Sequence, residues 1–291
     1  YAKRLDSQFR TVYAYSLEDE EAIAMSDGMA DAVNPVWDAS GDYLYFMAST
    51  DYGLNTGWLD MSSYERPVER SVYLTVLDSD TPSPLLPESD EETTSDSEEN
   101  DSADDDSNDE VDVRIDPEGL AQRTLALDLP ARMYMSLDAG PAGTVFVGES
   151  VPNAPGLRIH QYQLDTREAQ PFLEGVTQFE VAHSGEQVLY QAMGQWGIVP
   201  TAQPPSPGDG AIDLSGVQMP VTPMAEWQQI FDEAWRFHRD YLYVENYHGL
   251  DWQNVYDLYA PWVDHVRHRD DLNYVLELMV GELSLGHTYV G

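Results

Sequence analysis

Histidine side chains are the first candidates for acid–base chemistry in this sequence, because an imidazole titrates near neutral pH. The sequence contains seven of them. His287 differs from the others in its position: it follows Gly286 at the predicted end of a helix and leads into an alternating segment typical of a strand. A side chain at such a junction can be aimed into a cleft. The pattern by itself leaves two interpretations of His287 open, a catalytic group or a structural histidine.

The other six histidines have structural explanations, since they lie on or beside predicted strands, at the margin of a helix, or in turns. They are His160, His183, His238, His248, His265 and His268. His265 and His268 are three residues apart and could ligate zinc, but no third ligand follows at a recognised spacing. Because the sequence has no cysteine, disulfides, thiol catalysis and thiolate metal sites are excluded. We therefore predict neither a metal ion nor a cofactor.

The charge balance narrows the classes of partner. The sequence has 53 acidic and 14 basic residues, a formal net charge of -39. A surface this negative repels nucleic acid and anionic lipid headgroups, and no stretch approaches the roughly 20 apolar residues that span a bilayer. We therefore expect neither nucleic acid nor a membrane as a partner. The bias against lysine, of which Lys3 is the sole example, also suits a salty environment.

Three segments carry the hairpin signature, two alternating apolar runs joined by a turn that contains glycine. They are residues 34–50, 133–150 and 179–194. Partner strands are predicted at 71–78, 122–129 and 158–166. Four-stranded units that recur roughly every 40–50 residues indicate propeller blades, which must stack because one blade cannot bury both of its faces. We predict about three blades of a β-propeller; an open β-sandwich of similar hairpins is the alternative.

Two segments of biased composition organise the chain. Residues 87–112 contain almost nothing that could be buried, which predicts a disordered acidic insertion in the propeller; they lack the EF-hand spacing that calcium would require. Residues 200–216 are rich in proline and glycine, and the hydrophobic pattern changes from strand-like to helical after them. We therefore predict a mainly β plus α protein, with part of a propeller over residues 1–215 and a small helical domain over residues 216–291.

Three helices are predicted in the second region. Thr222 and Pro223 fit the N-cap and the first position of the first helix, and Asp251 fits the N-cap of the second. Asp270 or Asp271 could open the third helix, with Gly286 as the left-handed residue that ends it. Each helix carries one apolar stripe, so the three together can enclose a small core.

The chain also resembles the tricorn protease family, relatives of the C-terminal processing peptidases. The specific motifs are "EWQQIFDEAW" at 226–235, "HGLDW" at 248–252 and "GELSLGHTY" at 281–289. Residues 62–92, 115–130 and 172–190 resemble the second propeller of such proteins. The resemblance implies that the sequence covers part of that propeller and the first, helical part of the peptidase core.

By this resemblance the protein is a serine-type peptidase acting on oligopeptides, with His287 as the general base for a serine that lies beyond residue 291. The family pattern has a serine directly before this histidine, whereas this sequence has Gly286. Either another group orients the imidazole or the contact is dispensable. The propeller would admit unfolded peptides and exclude folded proteins, while the acidic insertion would either repel acidic peptides or solvate the rim.

The resemblance further implies a homo-oligomer, specifically a hexamer, and a cytoplasmic location, with the periplasm as the alternative. Tyr1 is not a methionine and Gly291 lies inside a predicted element, so we expect an internal piece of a longer protein that is inactive by itself. The alternative function is a non-catalytic propeller scaffold or binding protein in which His287 is structural.

Overall fold

A computed structural model describes residues 1–51, 65–86, 111, 113–206 and 208–291. The chain divides into two compact units, Tyr1–Asp213 and Leu214–Gly291, which we call the β unit and the helical unit. The predicted acidic insertion, residues 87–112, lies outside the described residues apart from Val111.

The described strands of the β unit form three antiparallel sheets. The first contains β1 (Ala2–Arg4), β2 (Arg10–Tyr15) and β3 (Ala22–Ala24). The second contains β4 (Asp31–Trp37), β5 (Tyr43–Ser49), β6 (Ser71–Val76) and β7 (Thr124–Ala126), with a 3-10 helix, Leu120–Arg123, before β7. The third contains β8 (Tyr134–Ala139), β9 (Thr144–Ser150), β10 (Leu157–Gln163), β11 (Glu168–Val181), β12 (Gln187–Ala192) and β13 (Gln195–Pro200).

The three predicted hairpins are β4–β5, β8–β9 and β11–β12. Their turns contain Gly41, Gly143 and Gly185, and each of these residues has a positive φ, a conformation that glycine adopts without steric cost. Strand β11 pairs with β10 along its first half and with β12 along its second, with register shifts on both sides of Val176. The sheet of six strands is therefore two blade-like units joined through one long strand. The first sheet, β1–β3, was not predicted from the sequence.

Strand β5 is buried on both faces, as stacked sheets require. Tyr45 and Met47 lie in one core cluster, which continues into β8, β9 and β10 through residues such as Tyr134. The alternate residue Phe46 lies in another cluster, which continues into β2 through Val12. Successive side chains of a strand point to opposite faces, so β5 joins two hydrophobic cores in the manner expected of a stacked blade.

Two buried aspartates tie neighbouring sheets together. Asp31 accepts hydrogen bonds from the Arg10 backbone N–H and guanidinium, the latter at 2.9 and 2.5 Å. Asp38 accepts hydrogen bonds from Tyr45 Oη at 2.9 Å and from the Gly143 N–H at 2.8 Å, the second across 105 residues of sequence. Hydrogen bonds to an ionised acceptor are stronger than those between neutral groups, so these carboxylates fix how adjacent sheets meet.

The helical unit consists of α1 (Pro223–Tyr241), α2 (Trp252–Val263) and α3 (Arg269–Gly281), with a second 3-10 helix, Tyr247–Gly249, between α1 and α2. Its core is contributed mainly by α2 and α3, with Phe231 from α1. The fully buried members are Phe231, Trp252, Val255, Val263, Val266, Leu272, Val275, Leu276, Met279, Val280 and Leu283. None of the helices in the described part of the chain combines the length and hydropathy needed to cross a membrane.

The predicted helix starts are confirmed for α1 and α2 and wrong for α3. Asp251 caps α2 by accepting a hydrogen bond from the Asn254 N–H. In α3 the N-cap is His268, whose Nδ1 accepts from the Asp270 N–H, while the Asp271 carboxylate accepts from the His268 N–H. This reciprocal arrangement is a capping box. The sequence-based prediction missed this cap because histidine is not among the usual N-cap residues.

Candidate functional site

His287 lies six residues after the end of α3, in a turn that differs from the one predicted. The helix ends at Gly281, not next to Gly286, and Gly286 does not have a positive φ. The left-handed residues are Ser284, with φ of 52°, and His287 itself, with φ of 62°. No strand follows among the described residues up to 291. The prediction placed the left-handed residue at the glycine because glycine is the usual choice there.

A left-handed backbone conformation at His287 is uncommon for a residue with a Cβ atom, although histidine adopts it more often than most. Such a conformation persists only where the surrounding structure holds it, and it is enriched at functional sites.

Contacts on both sides hold this turn against the helical unit. Leu283 is only 3% exposed and belongs to the core, and Leu285 and Val290 pack against the same core from either side of the histidine. The hydroxyl of Tyr259, on α2, donates a hydrogen bond of 2.6 Å to the Glu282 carboxylate, and this contact raises the pKa of Tyr259. The backbone that carries His287 is thus anchored before and after the residue.

The His287 side chain itself is exposed. Its ring lies edge-on to the ring of Tyr289, with centroids 6.2 Å apart. None of the described residues hydrogen-bonds its two ring nitrogens, and no described hydroxyl is positioned as a nucleophile on it. A neutral imidazole in this state can accept a proton at one nitrogen and later return it, which is the chemistry of a general base.

The hydroxyl of Thr288, the residue after His287, donates a hydrogen bond to the Leu285 carbonyl at 2.9 Å. This contact closes the turn from within. It also occupies the hydroxyl hydrogen of Thr288, so that group does not orient the imidazole.

Three other histidines are held by structural contacts. His160 Nε2 lies 2.7 Å from Glu149, which also accepts from Arg132. His238 Nδ1 lies 2.8 Å from the Ala234 carbonyl within α1, and His268 caps α3 as described. The sequence placed all of them correctly on strands, helices or turns. It did not reveal the charged group formed by Arg132, Glu149 and His160, because these side chains meet across three separate segments.

The turn that contains His248 shows strain that the sequence did not predict. Tyr247, His248 and Gly249 all have positive φ. The Asn246 side chain accepts from the His248 N–H, and His248 Nε2 lies 2.7 Å from the Tyr243 hydroxyl. The remaining two histidines, His183 and His265, are exposed. In the described part of the chain no group of three or more histidine, aspartate or glutamate side chains is placed to hold a metal ion.

Comparison with known proteins relates both units to one family. Residues 223–281, which include most of the helical unit, match the family described as the tricorn protease C1 domain. The chain is 32% identical over 194 residues to tricorn protease homolog 1 of Streptomyces coelicolor, a match that covers 61% of this chain and 18% of that protein. It is 27% identical over 290 residues to putative tricorn protease homolog 2 of the same organism, covering 92% of this chain and 24% of that protein.

The relatives extend to archaea and to a solved structure. The putative tricorn-like protease C-terminal subunit of Sulfurisphaera tokodaii is 25% identical, over 88% of this chain and 29% of its own. The crystal structure of the tricorn protease superposes with a TM-score of 0.76 over 100% of this chain and 28% of that one, at 18% identity. The chain spans less than a third of each of these relatives. The structural likeness confirms the predicted fold class, a partial propeller followed by a helical unit. The C1 match in the helical unit and the curated relatives, whose matches span both units, bear out the resemblance to the tricorn protease family that the motifs indicate.

Proposed function

We propose that this chain is part of a serine-type peptidase that degrades oligopeptides, with His287 as its general base. The observation that carries the proposal is an exposed imidazole, without a hydrogen-bond partner among the described residues, on a turn anchored at both ends directly after the C1 segment. The names of the curated relatives support protease activity. A buried and doubly bonded histidine would have favoured the structural interpretation instead.

In the proposed reaction His287 accepts the proton of a serine hydroxyl as the oxygen attacks the peptide carbonyl. The imidazolium then donates that proton to the nitrogen of the departing amine, leaving an acyl-enzyme that water hydrolyses by the same relay. The serine and the groups that stabilise the oxyanion belong to parts of the protein outside these 291 residues. For this reason we expect the isolated chain to be inactive.

The position of Gly286 bears on how the imidazole is oriented. A side chain added at Gly286 would meet no heavy atom within 4 Å among its neighbours, and its φ lies outside the left-handed region. Nothing in the described structure therefore excludes a serine at this position. The Thr288 hydroxyl is engaged with the Leu285 carbonyl, so it does not take the place of the family serine.

The remaining elements of the proposal rest on the family. The β unit would contribute to a propeller that admits unfolded peptides and rejects folded proteins. The protein would form a homo-oligomer, specifically a hexamer, and act in the cytoplasm, with the periplasm as the alternative. The high negative charge of the chain fits peptide substrates better than nucleic acid.

The proposal is tested with the full-length protein and a fluorogenic peptide. We expect His287→Ala to lower kcat by at least about a thousandfold while KM stays within a few-fold, because loss of the base removes transition-state stabilisation without removing substrate contacts. His265→Ala is the matched control: it removes another exposed histidine of the same unit and should leave kcat unchanged.

Circular dichroism and thermal melting should be the same for the wild type and both variants. Equal hydrolysis by the wild type and His287→Ala would show that His287 is not the base. A wild-type protein that binds other proteins but hydrolyses no peptide would favour the alternative function, a non-catalytic scaffold.

A further inference from the structure

A cavity of about 610 Å³ lies in the β unit between the first sheet and the second. One wall is formed by the end of β3 and the loop to β4, and the opposite wall by β5, β6 and the 3-10 helix before β7. Most of its lining is apolar, with Phe46 and Tyr73 as the aromatic residues and Met25 and Leu120 as large aliphatic ones. Its volume and composition fall in the range of sites that bind small molecules or single side chains, about 300–1,000 Å³.

The cavity exists because small residues face it. Alanines line it from β3, the loop to β4, β4 itself, β5 and the 3-10 helix: Ala24, Ala30, Ala32, Ala48 and Ala121. The opposite face of the same strands carries Val33 and Met47, which belong to a separate core cluster. Ala32 and Ala48 are also members of the buried cluster that contains Phe46, so the cavity lies against a packed core.

The 3-10 helix wall is held rigidly. The Arg123 guanidinium donates to four backbone carbonyls, those of Val76, Leu77, Asp116 and Glu118. The Ser79 hydroxyl and N–H both donate to Asp116, and these two hydrogen bonds lower the pKa of Asp116 to about 2. A wall fixed by this many contacts makes the cavity preformed, which lowers the free-energy cost of binding.

Among the described residues that line the cavity, Asp27 is the only charged one, and it is exposed. One carboxylate oxygen accepts from the Met29 N–H at 2.9 Å. The other accepts no hydrogen bond from any residue in the described part of the chain. A free carboxylate oxygen beside an apolar cavity is complementary to a ligand in which an ammonium group adjoins a large apolar group.

We propose that this cavity binds the amino-terminal end of a peptide whose first residue has a large apolar side chain. The side chain occupies the space between the alanines, and the α-ammonium group pairs with Asp27. The α-amino group of a peptide has a pKa of about 8, so it is positively charged at neutral pH. Binding of this kind requires no hydrolysis, so the inference goes beyond the peptidase proposal and can hold or fail independently of it.

The experiment measures binding by calorimetry to full-length protein carrying His287→Ala, so that no peptide is consumed. The probes are the tripeptide amide Phe-Ala-Ala-NH2, its N-acetylated form, and Ala-Ala-Ala-NH2. We expect the free phenylalanine peptide to bind at least tenfold more tightly than the alanine peptide, because the apolar side chain supplies most of the affinity. Acetylation should weaken binding about two- to fivefold, as expected for one exposed ion pair.

Two matched pairs of variants locate the site. Ala24→Trp fills the cavity and should weaken binding at least tenfold, whereas Ala22→Trp, on the same strand but outside the cavity, should not. Asp27→Asn should weaken binding of the free phenylalanine peptide about two- to fivefold but leave binding of the acetylated peptide unaffected. Glu21→Gln, its control, should leave binding of both peptides unchanged. Equal binding by Ala24→Trp and the parent protein, or equal loss for both peptides in Asp27→Asn, would overturn the proposal.

Discussion

Replacing Asp38 by alanine should destabilise the β unit more than most single substitutions. The Asp38 side chain is 3% exposed and accepts from the Ser40 N–H, the Tyr45 hydroxyl and the Gly143 N–H at 2.8–2.9 Å. The Tyr45 side chain is wholly buried, so its hydroxyl would lose its partner without gaining water. An orphaned buried donor costs about 1–3 kcal/mol, and two such donors give a loss of about 4 kcal/mol.

The assay is scanning calorimetry of the full-length protein, combined with hydrogen exchange at the Gly143 amide. For a unit of about 200 residues each kcal/mol lowers Tm by about 2–4 °C, so the transition of the β unit should fall by about 8–16 °C. Asp38→Asn keeps an acceptor oxygen, so its free energy of unfolding should fall by about half as much as that of Asp38→Ala. Asp42→Ala, an exposed acid in the same turn, should change the free energy of unfolding by less than about 0.5 kcal/mol.

Exchange at Gly143 should accelerate in Asp38→Ala and stay slow in Asp42→Ala, because only the first change removes its acceptor. If Asp38→Ala had the same Tm as the wild type and the Gly143 amide still exchanged slowly, the Asp38 carboxylate would not be the group that joins the two sheets.

Two further predictions concern Gly286 and Asp138. In the full-length protein Gly286→Ser should leave Tm unchanged. With His287 as the proposed base, it should raise kcat about fivefold, because one added hydrogen bond to the imidazole contributes about 1 kcal/mol. A fall in kcat in fluorogenic-peptide assays would contradict this. Burial, followed by the charge of Glu180, raises the pKa of Asp138 to about 6. The stability that the protonated form contributes is complete below the unfolded pKa near 4 and is lost as pH rises through 6. Asp138→Asn should therefore stabilise the protein by about 1–2 kcal/mol at pH 8 but not at pH 4, and urea unfolding that gave the same difference at both pH values would refute it.

Regular elements could be predicted because their signals are local. The turns at Gly41, Gly143 and Gly185 were found from glycine between two alternating runs, and in the structure all three have positive φ. The stripe of α3 was found from its period of 3.6, and its members are buried together. The start of α3 was missed because His268 forms a capping box that the usual N-cap preference does not include.

The sequence predicted the candidate site only in part. The family motif identified His287 by number, but not that its backbone would be left-handed or that its ring would be exposed. Those properties depend on Leu285 and Val290 packing against the core of the helical unit. No local sequence pattern indicated the cavity beside Asp27, because alanines spread over five segments form a cavity only once the sheets have stacked.

The sequence by itself determined the period of each element, the resemblance to the tricorn protease family and the strong negative charge, since each depends on residues close together in the chain or on composition. Only the tertiary structure decided which polar groups meet. Asp38 reaches Gly143 across 105 residues, and such a bond forms because two sheets pack face to face, which no local pattern encodes. Packing within each unit likewise decided which imidazoles are exposed, as at His287, and which make structural contacts, as at His160 and His238.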